Sequence, residues 1–508
     1  MRRGRRERAP ARRLRPGLLL GLVLLLLGAL AAAPELAPVP AATPAAPRGE
    51  EARLVAVARA AGACPVPVAG DTTATSVAVA APGSDVAGGS DQRPGSFGLA
   101  ELGEEGTPLL RGQAPGSARH DAADTDTALV ARATGDSAPG LAASEVTRST
   151  EATMRGLAGT VCEPAATDSW FVGSGAVVGQ RGRVYLTNLE ATPAIVDLTL
   201  YGPDGVLDAP DGRGISIGPG AQEVRLLDAL APGVERFAIH VNARLGRVSA
   251  AVRDLQVSGL TPLGADWVPV AAAPRRRLVV AGVPGGTGQR LLQIATPGPT
   301  DAIVRLRLLS PDGGSTPPDN DVIEARAGSV AEVDLSPYTG GRPVSVALES
   351  DRPITAGVLA RVTGTDGQLG EIAYVAAGPP VVAGRPAVLT DVGVGTATDR
   401  TVTLTAGPEP AEVRLDPLPP ATGSGQVVGV PADSVVTLDL ATVTESPAPL
   451  VLTAVSGEVY ATYELREAEE RGPFLTSLPL RPGRYVVQVP TVLSDLRAGV
   501  PAVTARDR

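Results

Sequence analysis

The sequence predicts an all-β protein made of tandem β-sandwich repeats of the immunoglobulin-like kind, each about 100 residues long. An aromatic residue recurs at this spacing, at Trp170, Trp267, Tyr374 and Phe474. Between these positions Ile, Val and Leu alternate with other residues, which is the period of a half-buried strand. A repeat of this length can close its own core, whereas propeller blades are shorter. A β-propeller with two blades per repeat remains the alternative.

Two further patterns keep the same order in each repeat. The first is a strand that ends in a Pro-Asp-Gly turn, as in AIVDLTLYGPDG and AIVRLRLLSPDG. The second is a pair of apolar runs joined by a polar or Gly/Pro-containing turn, which predicts a β-hairpin. Its copies begin at Phe237, Val344 and Pro449, and a diverged copy begins at Ala128. In the Val344 copy, the alternation predicts that Val346 and Leu348 point into the core.

These anchors divide the chain into eight segments. A diverged N-terminal β domain is followed by three repeats, and the short linkers between the repeats predict an extended row of modules. A strand at Tyr485 is expected to extend the last repeat. The predicted segments are a basic flank (1–16), an apolar segment (17–33), a Pro/Ala stalk (34–50), the diverged domain (51–162), the repeats (163–259, 260–364 and 365–471) and a C-terminal strand and tail (472–508).

The N-terminus has the features of a membrane-directed leader. Eight Arg and one Glu in residues 1–16 precede the apolar residues 17–33, which are just long enough to span a bilayer as a helix. The small residues at the end of this stretch also suit cleavage by signal peptidase. A retained single-pass anchor in the cell membrane is favoured over secretion after cleavage. In both cases the positive flank stays inside, so the rest of the chain is expected outside the cytoplasm.

The two cysteines, Cys64 and Cys162, bracket the N-terminal domain. Because the leader directs the chain to an oxidising compartment, we expect them to form a disulfide. Two free thiols in a metal or redox site are the alternative, although no CxxC spacing supports it. Residues 83–126 between them are rich in Gly, Ser and Asp and are expected to form long loops.

Motifs for catalysis are scarce. The chain has two histidines and carries no HExxH, GxSxG or phosphate-loop pattern. His120 lies near Asp121, Asp124 and Asp126, but an acidic loop of this kind is more often solvated than metal-bound. His240 alternates with core residues and is expected to face solvent. The sequence therefore predicts no catalytic, cofactor-binding or metal-ligating residue, and no cofactor.

The exported part of the chain is acidic. The net charge is −9 for the whole chain even though the first 16 residues are strongly positive, which argues against binding to nucleic acid. Only 13 residues are Phe, Trp or Tyr, and this weakens the case for a sugar-binding cleft with aromatic platforms.

The leader and three segments, ATGDSAPGLAASEVTRS, the WFVGSG that follows Cys162, and RGRVYLTNLEATPAIVDLTLYGPDG, together carry a resemblance to a known family. The chain resembles an actinobacterial family of membrane-anchored, secreted, β-rich proteins classed as a domain of unknown function. The resemblance implies an extracytoplasmic location and a β-rich fold, and it brings no catalytic residues. Genes of the family tend to lie near a large polytopic glycosyltransferase, which implies work in the cell envelope.

Three functions remain open at this point. The favoured one is a non-enzymatic, membrane-anchored scaffold of the cell envelope, with a membrane glycosyltransferase as a possible partner. The second is an array of glycan-binding modules. The third is an unrecognised hydrolase, because paired carboxylates for glycoside hydrolysis meet in space and leave no sequence motif.

Overall fold

The alternating apolar residues form antiparallel strands along the described chain, so the all-β prediction is confirmed. The structure is a computed structural model that describes residues 53–66, 73–83, 94–103, 108–121, 125, 127–364, 368–392, 398–421, 423 and 425–489. The predicted flank, apolar segment and stalk lie outside these residues. Within them, no helix is long and apolar enough to cross a membrane.

The strands fall into four consecutive groups, which we name modules 1 to 4. Strands β1 (Arg53–Ala56) and β36 (Val486–Val489) lie before and after them. Module 1 contains β2 (Arg59–Cys64), β3 (Thr73–Ala81), β4 (Phe97–Glu101), β5 (Leu110–Gly112), β6 (Gly116–Asp121), β7 (Leu129–Thr134), β8 (Ala142–Ser149) and β9 (Gly156–Val161). Module 2 contains β10 (Asp168–Val172), β11 (Arg183–Thr187), β12 (Ala194–Gly202), β13 (Gly205–Val206), β14 (Ile215–Ile217), β15 (Gln222–Leu226), β16 (Ala238–Leu245), β17 (Ser249–Ser258), β18 (Thr261–Val268) and β19 (Val270–Ala271).

Modules 3 and 4 continue the chain with similar strands. Module 3 contains β20 (Arg275–Val283), β21 (Gly288–Thr296), β22 (Ala302–Ser310), β23 (Gly313–Ser315), β24 (Val322–Ala325), β25 (Ser329–Asp334), β26 (Val344–Val362) and β27 (Glu371–Ala376). Module 4 contains β28 (Ala387–Leu389), β29 (Thr398–Ala406), β30 (Ala411–Pro417), β31 (Gln426–Val430), β32 (Val435–Asp439), β33 (Leu450–Ser456), β34 (Val459–Glu467) and β35 (Phe474–Leu480). Among the described residues, the α-helices are the single turns α1 (Leu227–Leu230) and α2 (Ser336–Thr339), and 3₁₀ turns lie at Gly135–Ser137, Ala152–Met154, Pro210–Gly212 and Leu440–Thr442.

The same order of strands recurs in all four modules. Each has an inner sheet that ends in its last strand: β6-β3-β8-β9, β15-β11-β17-β18, β25-β21-β26-β27 and β32-β29-β34-β35. Each also has an outer sheet, built on β2-β7-β4-β5, β10-β16-β12, β20-β26-β22 and β28-β33-β30-β31. Apolar residues from both sheets share one core within each module. The inner sheets differ from the outer sheets in that their final strands contact the final strands of the neighbouring modules.

The predicted hairpins are wrong in all four copies, because the two apolar runs join different sheets. Strand β16 pairs with β10 and β12 in the outer sheet, whereas β17 pairs with β11 and β18 in the inner sheet. In module 3 the two runs form the single 19-residue strand β26, which contributes to both sheets. Alternation within each run is the same for a hairpin and for a crossover between sheets, so the sequence pattern could not separate them.

Within one run the predicted orientation holds. Val346 and Leu348 are buried in the core of module 3, as expected. Ser345, on the opposite face, does not reach solvent: its hydroxyl lies 2.8 Å from that of Thr405 in module 4. The face of this strand that is turned away from the core is thus a contact between modules 3 and 4.

The prediction that the modules form an extended row is also wrong. Strands β9 and β35, from the first and last modules, contact each other, and the Gly159 N–H donates to the Thr476 hydroxyl at 2.9 Å. All four modules lie in one compact unit, Leu54–Val487. The strand expected at Tyr485 does not extend the last repeat: β36 lies in neither sheet of module 4, and Tyr485 packs on Gly140 of module 1.

Two other expectations differ from the structure. The region 83–126 contains strands β4, β5 and β6 in addition to loops, because its few apolar residues, including Phe97 and Leu99, are buried in the core of module 1. Strand β18 pairs with β17, so the sheet of module 2 continues past residue 259, where the sequence placed a boundary. Trp267, Tyr374 and Phe474 thus lie on the strands that end the inner sheets, whereas Trp170 lies on the first strand of module 2.

Candidate functional site: a ring of buried carboxylates

The strands that end the four inner sheets meet one another, and we name β9, β18, β27 and β35 the strand ring. Contacts run from β9 to β18, from β18 to β27, from β27 to β35 and from β35 back to β9. Glycine allows this close approach. A Cβ on Gly159 would lie 2.8 Å from the Leu478 side chain and 3.0 Å from the Thr476 hydroxyl. Any larger residue there would push module 1 away from module 4.

Asp266 of β18 joins module 2 to the three other modules. Its Oδ1 accepts hydrogen bonds from the Thr476 hydroxyl at 2.8 Å and from the Gly159 N–H at 3.3 Å. Its Oδ2 accepts from the Tyr374 N–H at 2.9 Å. The side chain is fully buried. One carboxylate therefore accepts a hydrogen bond from each of the three other strands of the ring.

Glu371, the first residue of β27, makes a second junction. Its Oε2 accepts from the Leu157 N–H of module 1 at 3.1 Å, and its Oε1 accepts from the Ala265 N–H of module 2 at 3.2 Å. The Ile372 N–H adds a local bond of 3.0 Å. Gly264 lies against this carboxylate with a φ of +131°, a conformation that favours glycine.

Asp254 and Tyr374 link modules 2 and 3 beside the ring. The Tyr374 hydroxyl donates to Asp254 Oδ2 at 2.6 Å, and Gln256 donates to the same oxygen at 2.7 Å. The Ser174 hydroxyl donates to Oδ1 at 3.0 Å. Because every oxygen of this carboxylate has a donor, the group is suited to holding the two modules in register.

Arg155 directly precedes β9 and contacts the chain just before β27 and β35. It is 1% exposed and donates to the carbonyls of Gly472 at 2.5 Å and Gly370 at 3.3 Å. Its guanidinium lies 4.0 Å from the centre of the Phe474 ring. Modules 1, 3 and 4 are therefore connected by one cation.

Burial and hydrogen bonding act in opposite directions on these acids. Burial raises the pKa of Asp266 and of Glu371 well above the ordinary range, while donated hydrogen bonds oppose the rise. The pKa of Asp254 is raised for the same reason and opposed first by the Tyr374 hydroxyl. Perturbed acids often mark active sites. Here, however, the oxygens are occupied by protein donors and lie away from solvent, as in a structural network.

A cleft beside the ring is lined by β9, β17, β18 and β35. It has room for about one water molecule, far below the several hundred Å³ of an ordinary ligand pocket. Its lining includes Glu163 and Arg481, which form an ion pair of 3.0 Å between modules 1 and 4. The cleft is therefore another junction between modules and is too small for a substrate.

The structure places the residues singled out in the sequence at separate positions. Cys64 and Cys162 form the expected disulfide in the core of module 1. His120 lies on β6; its neighbour Asp121 accepts from the Ser76 hydroxyl at 2.6 Å. Asp124 and Asp126 lie outside the described residues, and among the residues that are described no three His, Cys, Asp or Glu side chains form a metal-binding group.

His240 is only partly as predicted. It points away from the core, but it is not free in solvent: its side chain is 20% exposed and stacks on Trp170 at 4.1 Å. Its Nε2 lies 2.6 Å from Asp168 Oδ2, and the Trp170 indole N–H donates to Asp168 Oδ1 at 3.1 Å. The Tyr201 ring lies 5.7 Å from the Trp170 ring, measured between centroids. Sequence reasoning missed this cluster because its members come from three strands.

The ring acids were also missed, although one signal was present. Asp266 and Glu371 are single acids inside apolar strand segments, each within two residues of a glycine, at Gly264 and Gly370. A buried acid in a strand needs nearby donors, and a glycine lets a neighbouring backbone supply them. Such a pair indicates close backbone contact, but it does not identify the contacting strand.

Comparisons with known proteins support one part of the resemblance, namely that the chain matches a family of unknown function. A family model described as a family of unknown function, DUF5719, matches residues 117–441, which run from module 1 into module 4. No curated protein and no solved structure matches the chain. Because the matched region covers more than half of the chain, this protein belongs to the DUF5719 family.

Proposed function

We propose that the chain is a non-enzymatic scaffold of the cell envelope that presents one rigid surface to a membrane partner. The observation that carries the proposal is Asp266, whose carboxylate accepts hydrogen bonds from modules 1, 3 and 4 at once. Such a junction makes relative movement of the modules costly, because any movement would leave buried donors unpaired. A rigid body of this size suits a support better than a flexible tether does.

The proposed location is outside the cytoplasm, with residues 17–33 as a single-pass anchor and residues 34–50 as a stalk. The basic flank before the apolar stretch supports this orientation. The Cys64–Cys162 disulfide supports it as well, because disulfides persist in oxidising compartments. Cleavage of the leader and secretion is the alternative.

The location can be tested with one new cysteine. Both native cysteines are in the disulfide, so Ala45→Cys in the stalk supplies a single free thiol. We expect a membrane-impermeant thiol reagent to label it in intact cells, whereas the unsubstituted chain stays unlabelled. Labelling that appears only after lysis would contradict the proposed orientation.

The scaffold role can be tested by photo-crosslinking in intact cells. Val178 and Leu260 are the most exposed apolar side chains described, and a crosslinking amino acid at either would leave the core untouched. We expect crosslinks to one membrane protein, a polytopic glycosyltransferase being the candidate partner. The buried Leu186 provides a matched control that should capture nothing. Crosslinks spread over unrelated proteins would count against a dedicated partner.

A glycan-binding role is the second candidate, and the cluster of Trp170, Tyr201, His240 and Asp168 favours it. Aromatic rings beside a carboxylate are a common arrangement in sugar sites. Trp170 is 6% exposed, however, so its ring faces are occupied by protein. Binding of the full-length chain to envelope glycans that is lost in Asp168→Asn would support this role over the scaffold. Turnover of such glycans by the purified chain would contradict both and indicate a hydrolase.

A further inference from the structure

The contact between modules 1 and 2 contains one more buried acid, Glu145, whose surroundings differ from those of the ring acids. Ala158 of β9 packs with Tyr185, Ala251 and Trp267 of module 2. Ala158 is paired with Thr147, and Thr160 with Glu145, across β8 and β9. Because cross-strand partners and alternate residues share one face, Glu145 faces the same side as Ala158. We name this contact the 1–2 seam.

Glu145 has no hydrogen-bond partner within the described part of the chain. It is fully buried, and neither carboxyl oxygen is bonded. Two donors in the seam are also buried and unbonded, namely Trp267 Nε1 and Arg253 Nε. Arg253 lies over the Trp267 ring at 5.7 Å and is directly opposite Trp267 in the β17–β18 pair. The seam therefore contains an acid and two donors that are not satisfied by one another.

The charges around Glu145 come mainly from module 2. Arg253 of β17 is the cation that acts on it, and Arg183 and Tyr185 of β11 and Asp266 of β18 lie around Arg253. On its own sheet, the cross-strand neighbours are the uncharged Val77 and Thr160. No salt bridge joins Glu145 to Arg253 among the described residues. An unpaired carboxylate in such a place is strongly disfavoured, whereas a neutral carboxylic acid is tolerated.

We propose that Glu145 is a protonation switch in the 1–2 seam, neutral when the seam is closed and loosening the seam when it releases its proton to solvent. The reaction is a simple ionisation, in which the carboxyl O–H bond breaks and no other bond changes. The charged form needs water or a shift of Arg253 for solvation, and both open the packing between Ala158 and Trp267.

The direction of the titration agrees with this geometry. Burial raises the pKa of Glu145 from 4.5 to about 8, and Arg253 opposes the rise. The switch would therefore act in mildly alkaline conditions. This inference does not depend on the proposed scaffold role, since it concerns only how two modules are held together.

The chain has a built-in reporter for the test, because Trp267 lies in the seam and Trp170 is its only other tryptophan. In the full-length Trp170→Phe chain, Trp267 emission should change over pH 6–10 with a midpoint near 8. Adding Glu145→Gln should abolish this transition. The Trp267→Phe chain, which keeps Trp170, should show no transition that depends on Glu145. Persistence of the transition in the Gln variant, or its absence from folded Trp170→Phe protein, would overturn the proposal.

Hydrogen exchange provides a second measurement that needs no substitution. Once corrected for the intrinsic effect of pH, exchange in β9 and β18 should accelerate severalfold between pH 7 and pH 9. Exchange in β30 and β31, which pair with each other in the outer sheet of module 4, should not accelerate. Equal behaviour of the two strand pairs would overturn the switch even if the Gln variant fails to fold.

Discussion

Asp266 and Glu145 are both fully buried acids on strands of inner sheets, yet they differ in what meets their oxygens. Asp266 accepts hydrogen bonds from three other modules. Glu145 accepts none from the described residues. Burial raises the pKa of both. The difference teaches that a buried carboxylate stabilises a contact only where donors from the partner reach it; elsewhere its charge opposes the contact.

The largest effect is expected from removing the acceptor that serves three modules. Asp266→Ala leaves the Tyr374 N–H without its acceptor and removes one partner each from Thr476 and Gly159. We expect a loss of about 3–5 kcal/mol in the free energy of unfolding, measured by urea denaturation. Asp266→Asn should lose less, because it keeps one acceptor oxygen. The exposed Asp208→Ala serves as the control and should change little. Equal stability of all three variants would show that the ring does not depend on this carboxylate.

A smaller effect, confined to module 1, is expected from opening the disulfide. The bond closes a loop between residues 98 positions apart, and its loss should destabilise by about 2–4 kcal/mol. In Cys64→Ala/Cys162→Ala, hydrogen exchange should accelerate in β2, β7 and β9. Exchange in β27 should change much less, since Glu371 and Asp266 hold it independently. Uniform acceleration through all four modules would mean that the modules unfold as one unit.

The effect of Glu145 depends on pH, and its sign follows from the raised pKa. Between pH 4.5 and about 8 the folded chain keeps a proton that the unfolded chain has released. The stability contributed by this group is therefore fully present below 4.5 and is lost as the pH rises through 8. Relative to Glu145→Gln, the unsubstituted chain should lose about 1.4 kcal/mol per pH unit in this window. Parallel stability profiles for the two chains, measured by urea denaturation from pH 5 to pH 9, would contradict this.

Sequence reasoning identified local order but not the contacts between modules. The alternation of apolar residues correctly predicted that Val346 and Leu348 face the core, because the period of two in a strand depends only on neighbouring residues. The disulfide followed from the compartment and the number of cysteines. By contrast, the contact between Gly159 and Thr476 joins residues more than 300 positions apart, and nothing local specifies it. The same limit explains the hairpin error: whether a strand stays in its sheet or crosses to the next is decided by packing.

The smallest effect is expected at Asp168, an acid that differs from both buried ones because its side chain is 45% exposed. It holds His240 and the Trp170 indole N–H, but water can replace it at both donors. Asp168→Asn should therefore lower the free energy of unfolding by less than about 1 kcal/mol, with the loss shrinking at high salt. Asp211→Asn, an exposed acid in a turn of the same module, provides the baseline. Trp170 packs against module 3 residues such as Ala295, so its burial should keep the cluster in place without the carboxylate. A loss as large as that of Asp266→Asn would show instead that Asp168 positions Trp170, and that this exposed acid supports the contact between modules 2 and 3.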